Sequence, residues 1–171
     1  MRASIPTTAF GIEFRSRLEA KYATFFELLE FKWQYEPVDL NGWIPDFILY
    51  GEGGREVFVE IKPETDREKL QETFSKINKS LAVGNVCVLT PGFFCKYPDI
   101  EGPFCLGYIR TTLMPDDSYF WDEVAFKPRP RDICDRTIDF TGRLTGVHNT
   151  DKLRVDLFFK EAGNRVQWFP K

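Results

Sequence analysis

Two apolar runs separated by a glycine-rich turn constrain this chain more than any other feature. Trp43 to Tyr50 reads as one strand and Glu56 to Lys62 as another, and Gly51-Glu52-Gly53-Gly54 between them is a strong turn signal. The pair predicts a hairpin. Both faces of both strands are apolar: Ile48 and Tyr50 alternate with Phe47 and Leu49, and Phe58 alternates with Val57, Val59 and Ile61. Strands of that kind belong in the middle of a sheet covered on both sides.

The flanking segments supply the cover. From Gly11 to about Phe31 the apolar residues Phe14, Leu18, Tyr22, Phe25 and Leu29 recur at the helix period, with Thr7 or Thr8 as the cap. Lys32 to Pro37 reads as a short strand. Arg67 to Leu81 reads as a second helix with Leu70, Phe74, Ile77 and Leu81 inward, and Asn85 to Thr90 as a short buried strand closed by Pro91-Gly92. Further on, Phe104 to Arg110 and Tyr119 to Phe126 read as strands, and Lys127 to Gly142 as loop. Asp151 to Trp168 reads as a closing helix that Gly163-Asn164 interrupts or ends early. The order helix, strands, helix, strand predicts an α/β core. The 171 residues fit a single domain over 1–171, with its core at about 11–90 and an extension over 91–171.

Composition narrows the function classes. Apolar residues are 43% of the chain and Phe alone has 17 copies, enough for a real core. The net charge of −3 argues against a non-specific polybasic binder, but it allows an enzyme with a local basic surface. Cys87, Cys95, Cys105 and Cys134 form no Cys-x-x-Cys pair, and His148 is the sole histidine, so a structural zinc is not expected. Free thiols in a reducing compartment are the simplest reading. The N-terminus lacks a signal-peptide core, and no stretch approaches the roughly 20 apolar residues that span a bilayer. These features predict a soluble, cytoplasmic protein.

Chemistry is carried by the polar residues that break the hairpin. Asp46, Glu60 and Lys62 all lie inside apolar strands, and charged side chains are rarely buried without partners because desolvating an ion costs several kcal/mol. Glu60 and Lys62 share a strand face. If Gly51 and Arg55 close the hairpin, Asp46 falls opposite Glu60, with Cβ atoms roughly 4.5–5.5 Å apart. Opposed carboxylates repel, and a divalent cation turns that repulsion into coordination. Oxygen ligands suit hard ions, so Mg²⁺ or Mn²⁺ is expected. Glu19, just off the apolar stripe of the first helix, is the natural third carboxylate, with Arg15 one turn earlier beside it.

Ile44-Pro45-Asp46 followed by Val59-Glu60-Ile61-Lys62 resembles the signature of the PD-(D/E)xK nuclease superfamily. The preceding Phe14-Arg15-Ser16-Arg17-Leu18-Glu19-Ala20 resembles the glutamate-bearing first helix of its transposon-end and phage junction-resolving branches. The resemblance covers roughly Gly11 to Thr90. It implies a restriction-endonuclease-like core, a central mixed sheet flanked by helices, with a C-terminal extension. It also implies a Mg²⁺- or Mn²⁺-dependent endonuclease acting on DNA. Asp46 and Glu60 would bind the metal, with the Ile61 carbonyl as a further ligand and Glu19 completing the shell directly or through water. Lys62 would orient or deprotonate the attacking water and offset charge at the phosphate. Arg15, Arg17, Lys76 and Lys79 are candidate DNA contacts. A homodimer, or a place as the cutting subunit of a recombination, restriction or phage machine, is the expected assembly. The rival reading is a catalytically inactive module of the same fold that binds DNA or scaffolds a larger complex.

Overall fold

A computed structural model describes residues 5–50, 56–82, 84–95, 104–113, 119–124 and 149–167. The chain forms β1 (Thr7–Ala9), β2 (Ile12–Phe14), α1 (Arg17–Leu28), β3 (Lys32–Tyr35), β4 (Phe47–Tyr50), β5 (Glu56–Ile61), α2 (Gln71–Asn78), β6 (Asn85–Cys95), β7 (Phe104–Leu113), β8 (Tyr119–Val124) and α3 (Asn149–Arg165). β1 and β2 make a small hairpin, and the other strands form one six-stranded sheet in the order β3-β4-β5-β6-β7-β8. All neighbours are antiparallel except β5 and β6, which are parallel and joined through α2. The fold is mixed α/β, as the order of apolar patterns predicts.

The hairpin register is the one read from the sequence. Phe47 pairs with Val59, Ile48 with Phe58, Leu49 with Val57 and Tyr50 with Glu56. The ladder ends at the Phe47–Val59 pair; just before it, Asp46 stands outside β4 and reaches β5 through its side chain, which accepts the Ile61 N–H. The two strands also lie inside the sheet, with apolar layers on both sides. One layer packs Phe47, Leu49, Val57, Val59 and Ile61 with Phe25, Phe26 and Phe159 of α1 and α3. The other packs Val86, Val88, Tyr108 and Trp121 with Leu70, Phe74 and Ile77 around α2. Ring contacts hold the first layer, such as Phe26 edge-on to Phe47 at 5.4 Å.

Several boundaries differ from the sequence reading. The first helix starts at Arg17, not Gly11, because Ile12 and Phe14 belong to the β1–β2 hairpin, which turns at Phe10 and Gly11 with φ of 54° and 74°. Its cap is Ser16, not Thr7 or Thr8: the Ser16 hydroxyl accepts the Glu19 N–H at 3.1 Å. β4 begins only at Phe47, since Asn41 and Gly42 turn with positive φ and Pro45 has no N–H to give a ladder. Leu81 lies beyond the end of α2 and is 69% exposed rather than inward. β6 runs on through Pro91-Gly92, absorbing the proline in a register shift between Leu89 and Phe94. α3 continues through Gly163-Asn164; Gly163 sits against the Lys21 side chain of α1, where a Cβ would lie 3.4 Å from its Cε. Cys87 is a free, buried thiol, and burial pushes its pKa well up. No helix among the described residues is long and apolar enough to cross a membrane. The Gly51-Glu52-Gly53-Gly54 turn with Arg55, the Lys127–Gly142 segment, Cys134, His148 and Trp168 lie outside the described residues.

Candidate active site

The charged residues gather where β3 ends, β4 begins and β5 ends. Pairing sets this place: Tyr35 is opposite Phe47, and Phe47 is opposite Val59. The Glu36 N–H continues the first ladder by donating to the Asp46 carbonyl at 3.0 Å. The Lys62 N–H continues the β5–β6 ladder by donating to the Leu89 carbonyl at 2.9 Å.

Asp46 is buried, and its side chain takes over a backbone bond: Oδ2 accepts the Ile61 N–H at 2.6 Å. Its other oxygen forms an ion pair with Arg15 Nη2. Arg15 Nε also pairs with Glu36 at 3.0 Å and lies 3.9 Å from Glu19. The expected Arg15–Glu19 helix pair is therefore the longest of three contacts; Arg15 precedes the helix and its chief acid is Asp46. Burial pushes the Asp46 carboxyl up to about 7; the nearby Glu60 charge adds to this, the Ile61 N–H opposes it, Glu19 adds a little and Arg15 opposes weakly.

Glu60 is only 8% exposed, and both its oxygens are taken. Oε1 accepts Lys62 Nζ at 2.7 Å, and Oε2 accepts the Trp43 indole N–H at 2.8 Å. Burial pulls the Lys62 ammonium down, but Glu60 by charge and hydrogen bond, with Asp46 and Glu64 behind it, outweighs burial and leaves its pKa raised. Lys62 is thus held as a cation.

Glu19 enters from α1. Ser16-Arg17-Leu18-Glu19 has the spacing of a capping box, but the return bond differs: the Ser16 hydroxyl donates to Glu19 Oε1 at 2.8 Å while capping the Glu19 N–H. Glu19 Oε2 accepts the Tyr35 hydroxyl at 2.6 Å and the Arg15 N–H at 3.2 Å. Burial, with the Glu19 bond next, pushes the Tyr35 hydroxyl up to about 12. The buried Glu19 and the Asp46 carboxylate are close enough for each charge to act on the other.

Asp46, Glu60, Lys62, Glu19 and Arg15 lie at this one end of the sheet, linked in pairs: Arg15 with Asp46 and, at 3.9 Å, with Glu19, and Lys62 with Glu60. Arg17 starts α1 half-buried, with no partner for its Nε. Lys76 and Lys79 are exposed at the C-terminal end of α2, which leads into β6 beside Val57 rather than beside Glu60. The sequence reading missed Trp43, Tyr35, Ser16 and Glu36. Only Ser16 carried a local signal, the Ser-x-x-Glu spacing; the others meet the site through chain reversals of many residues. Among the described residues, no group of three or more His, Cys, Asp or Glu side chains is placed so that it could hold a metal ion. No family model, curated protein or solved structure matches this chain.

Proposed function

We propose that this protein is a metal-dependent deoxyribonuclease of the PD-(D/E)xK type, which hydrolyses phosphodiester bonds in DNA. The observation that carries the reading is the pair of buried, neighbouring carboxylates, Asp46 and Glu60, at the end of a buried hairpin, with Lys62 on Glu60 and Glu19 entering from α1. The order of elements supports it as well. α1, antiparallel β3-β4-β5, the α2 crossover and parallel β6 are the parts a restriction-endonuclease-like core requires, leaving β7, β8 and α3 as the extension.

The donor set fits a hard divalent cation by its chemistry. Asp46 and Glu60 offer oxygens only, the Glu60 charge already acts on Asp46, and each presently draws a cationic side chain. These two, with the Ile61 carbonyl and Glu19 directly or through water, would hold Mg²⁺ or Mn²⁺. Bound there, the ion would lower the proton affinity of a water and stabilise charge building on the phosphoryl oxygens. Lys62, kept protonated by Glu60, suits orienting the attacking water and offsetting phosphate charge better than removing a proton. Arg15 is exposed enough to turn from Asp46 toward a phosphate once another cation neutralises that carboxylate.

Plasmid, linear and branched DNA incubated with Mg²⁺ or Mn²⁺ should be cut, and EDTA, Glu60→Ala and Lys62→Ala should each abolish cutting; cleavage that survives either substitution overturns the assignment. A homodimer is expected on substrate, because one site cuts one strand, and a monomeric mass by light scattering on DNA would count against it. One observation favours the rival scaffold reading: Arg15 and Lys62 already neutralise Asp46 and Glu60. Calorimetry that finds no metal uptake, together with DNA binding indifferent to EDTA, would decide for the scaffold.

A further inference from the structure

We infer that Trp43 is a positioning residue for Glu60: its indole N–H fixes one carboxylate oxygen and thereby aims the other at the cation the site takes. The inference rests on the reading of Glu60 as a metal ligand.

The two oxygens of Glu60 are held by unlike donors. Lys62 Nζ at 2.7 Å on Oε1 is a charged group on a flexible stem, 32% exposed, and an incoming cation can displace it. Trp43 Nε1 at 2.8 Å on Oε2 is different. An indole donates one proton, accepts none, and keeps that proton throughout the physiological range. It can neither ligate a metal nor exchange a proton with Glu60, so what it supplies is direction.

Trp43 is itself held firmly. It is 1% exposed and packs in the α2-side layer, with its ring edge-on to Phe58 at 6.3 Å. The turn that delivers it is tied twice: the Gly42 N–H donates to Asp39 Oδ1 at 2.7 Å, and the Leu40 N–H donates to the Trp43 carbonyl at 2.8 Å. Asn41 and Gly42 supply the positive φ values of 59° and 84° that this turn needs. A buried indole seeks any acceptor, and a backbone carbonyl would satisfy it equally. Here the acceptor is a carboxylate of the proposed site. Asp46 is fixed by the Ile61 N–H, and Glu19 by the Ser16 and Tyr35 hydroxyls and the Arg15 backbone N–H, so each acid has at least one neutral donor that sets its direction. Supporting bonds of this type typically carry about 10–100-fold in metal affinity or activity.

The test has two arms. In the ¹⁵N-labelled wild-type chain, the Trp43 indole N–H resonance should move on adding Mg²⁺. Glu60→Gln should shift that resonance and remove its response to Mg²⁺. In Trp43→Phe, with folding checked by thermal melting, the calorimetric Kd for Mn²⁺ should rise about 10–100-fold. Excess metal should then restore cleavage at an unchanged KM for DNA. An indole that stays still in a protein shown by calorimetry to bind Mg²⁺ overturns the inference, as does a folded Trp43→Phe whose Kd stays within about twofold of wild type. If Trp43→Phe does not fold, the wild-type resonance decides alone. A wild-type chain that takes up neither Mg²⁺ nor Mn²⁺ sinks the metal reading itself, and this inference with it.

Discussion

The two sides of the sheet are cut from the same strands but handle polarity in opposite ways. Toward α1 and α3, the buried layer is aromatic and aliphatic, and its inner hydroxyls are tied to backbone, Tyr22 to the Thr90 carbonyl and Thr24 to the Ala20 carbonyl, while Glu19 at its edge is bonded to the Ser16 and Tyr35 hydroxyls. Toward α2, the layer ends at Glu60, whose neighbours include an ammonium and an indole. The α1 side obtains cohesion from shape and area. The rim where the α2 side meets the start of α1 gives up cohesion to hold Glu60, Asp46 and Glu19 near one another. A sheet of this kind can carry a costly cluster because the opposite layer supplies the stability.

One substitution on each side separates these roles. Glu60→Gln should reduce DNA cleavage by a factor on the order of 1,000, or ~4 kcal/mol of transition-state stabilisation, while the protein melts near the wild-type temperature. Phe26→Ala should do the reverse: a fully buried ring against Tyr22, Phe31 and Phe47 is lost, and stability falls by about 3–5 kcal/mol with cleavage per folded molecule unchanged. If Phe26→Ala reduces cleavage per folded molecule as much as Glu60→Gln does, the division of labour is wrong. Gly107→Ala strikes the strands that both sides share. A Cβ there would lie 2.1 Å from the Val88 carbonyl oxygen, a backbone atom that cannot step aside. Destabilisation of about 1–3 kcal/mol is expected in chemical denaturation, and an unaltered midpoint would rule out the close approach.

A further test is a pH slope. Asp46 is raised from 3.8 to about 7, chiefly by burial, so the folded chain holds this proton more tightly than the unfolded one. Its contribution to stability is fully present below about pH 4 and is lost as pH rises through 7. Melting of the metal-free protein should therefore weaken from pH 5 toward pH 8, and Asp46→Asn should flatten that slope; a slope that persists in the variant belongs to another group.

The hairpin was legible because both determinants are local: a glycine turn fixes which residues can pair, and continuous apolarity says that both faces are covered. From those two facts Asp46 is expected opposite Glu60 without knowledge of anything else. The start of α1 was legible in principle, since Ser16 and Glu19 have capping-box spacing, but Phe14 mimics a helical stripe while belonging to β2. Leu81 fits the period of α2, yet the helix stops at Asn78, so periodicity outlasts the structure that gives it meaning. Trp43 and Tyr35 were illegible as site residues. Their bonds to Glu60 and Glu19 cross 17 and 16 positions, and no spacing rule reports a contact that depends on how distant elements pack.

The single parallel pairing in the sheet also has a kinetic consequence. Asp46 and Glu60 are brought together by an antiparallel hairpin with a short connection, an inexpensive loop to close. Leu89, which receives the Lys62 N–H, must wait for the whole α2 crossover to be laid down. Repulsion between the acids is then met early in folding, before β6 has arrived to brace β5. Folding-rate measurements on Val59→Ala and Leu89→Ala should show it: the hairpin contact largely formed in the transition state, with φ near about 1, and the crossover contact still open, near about 0.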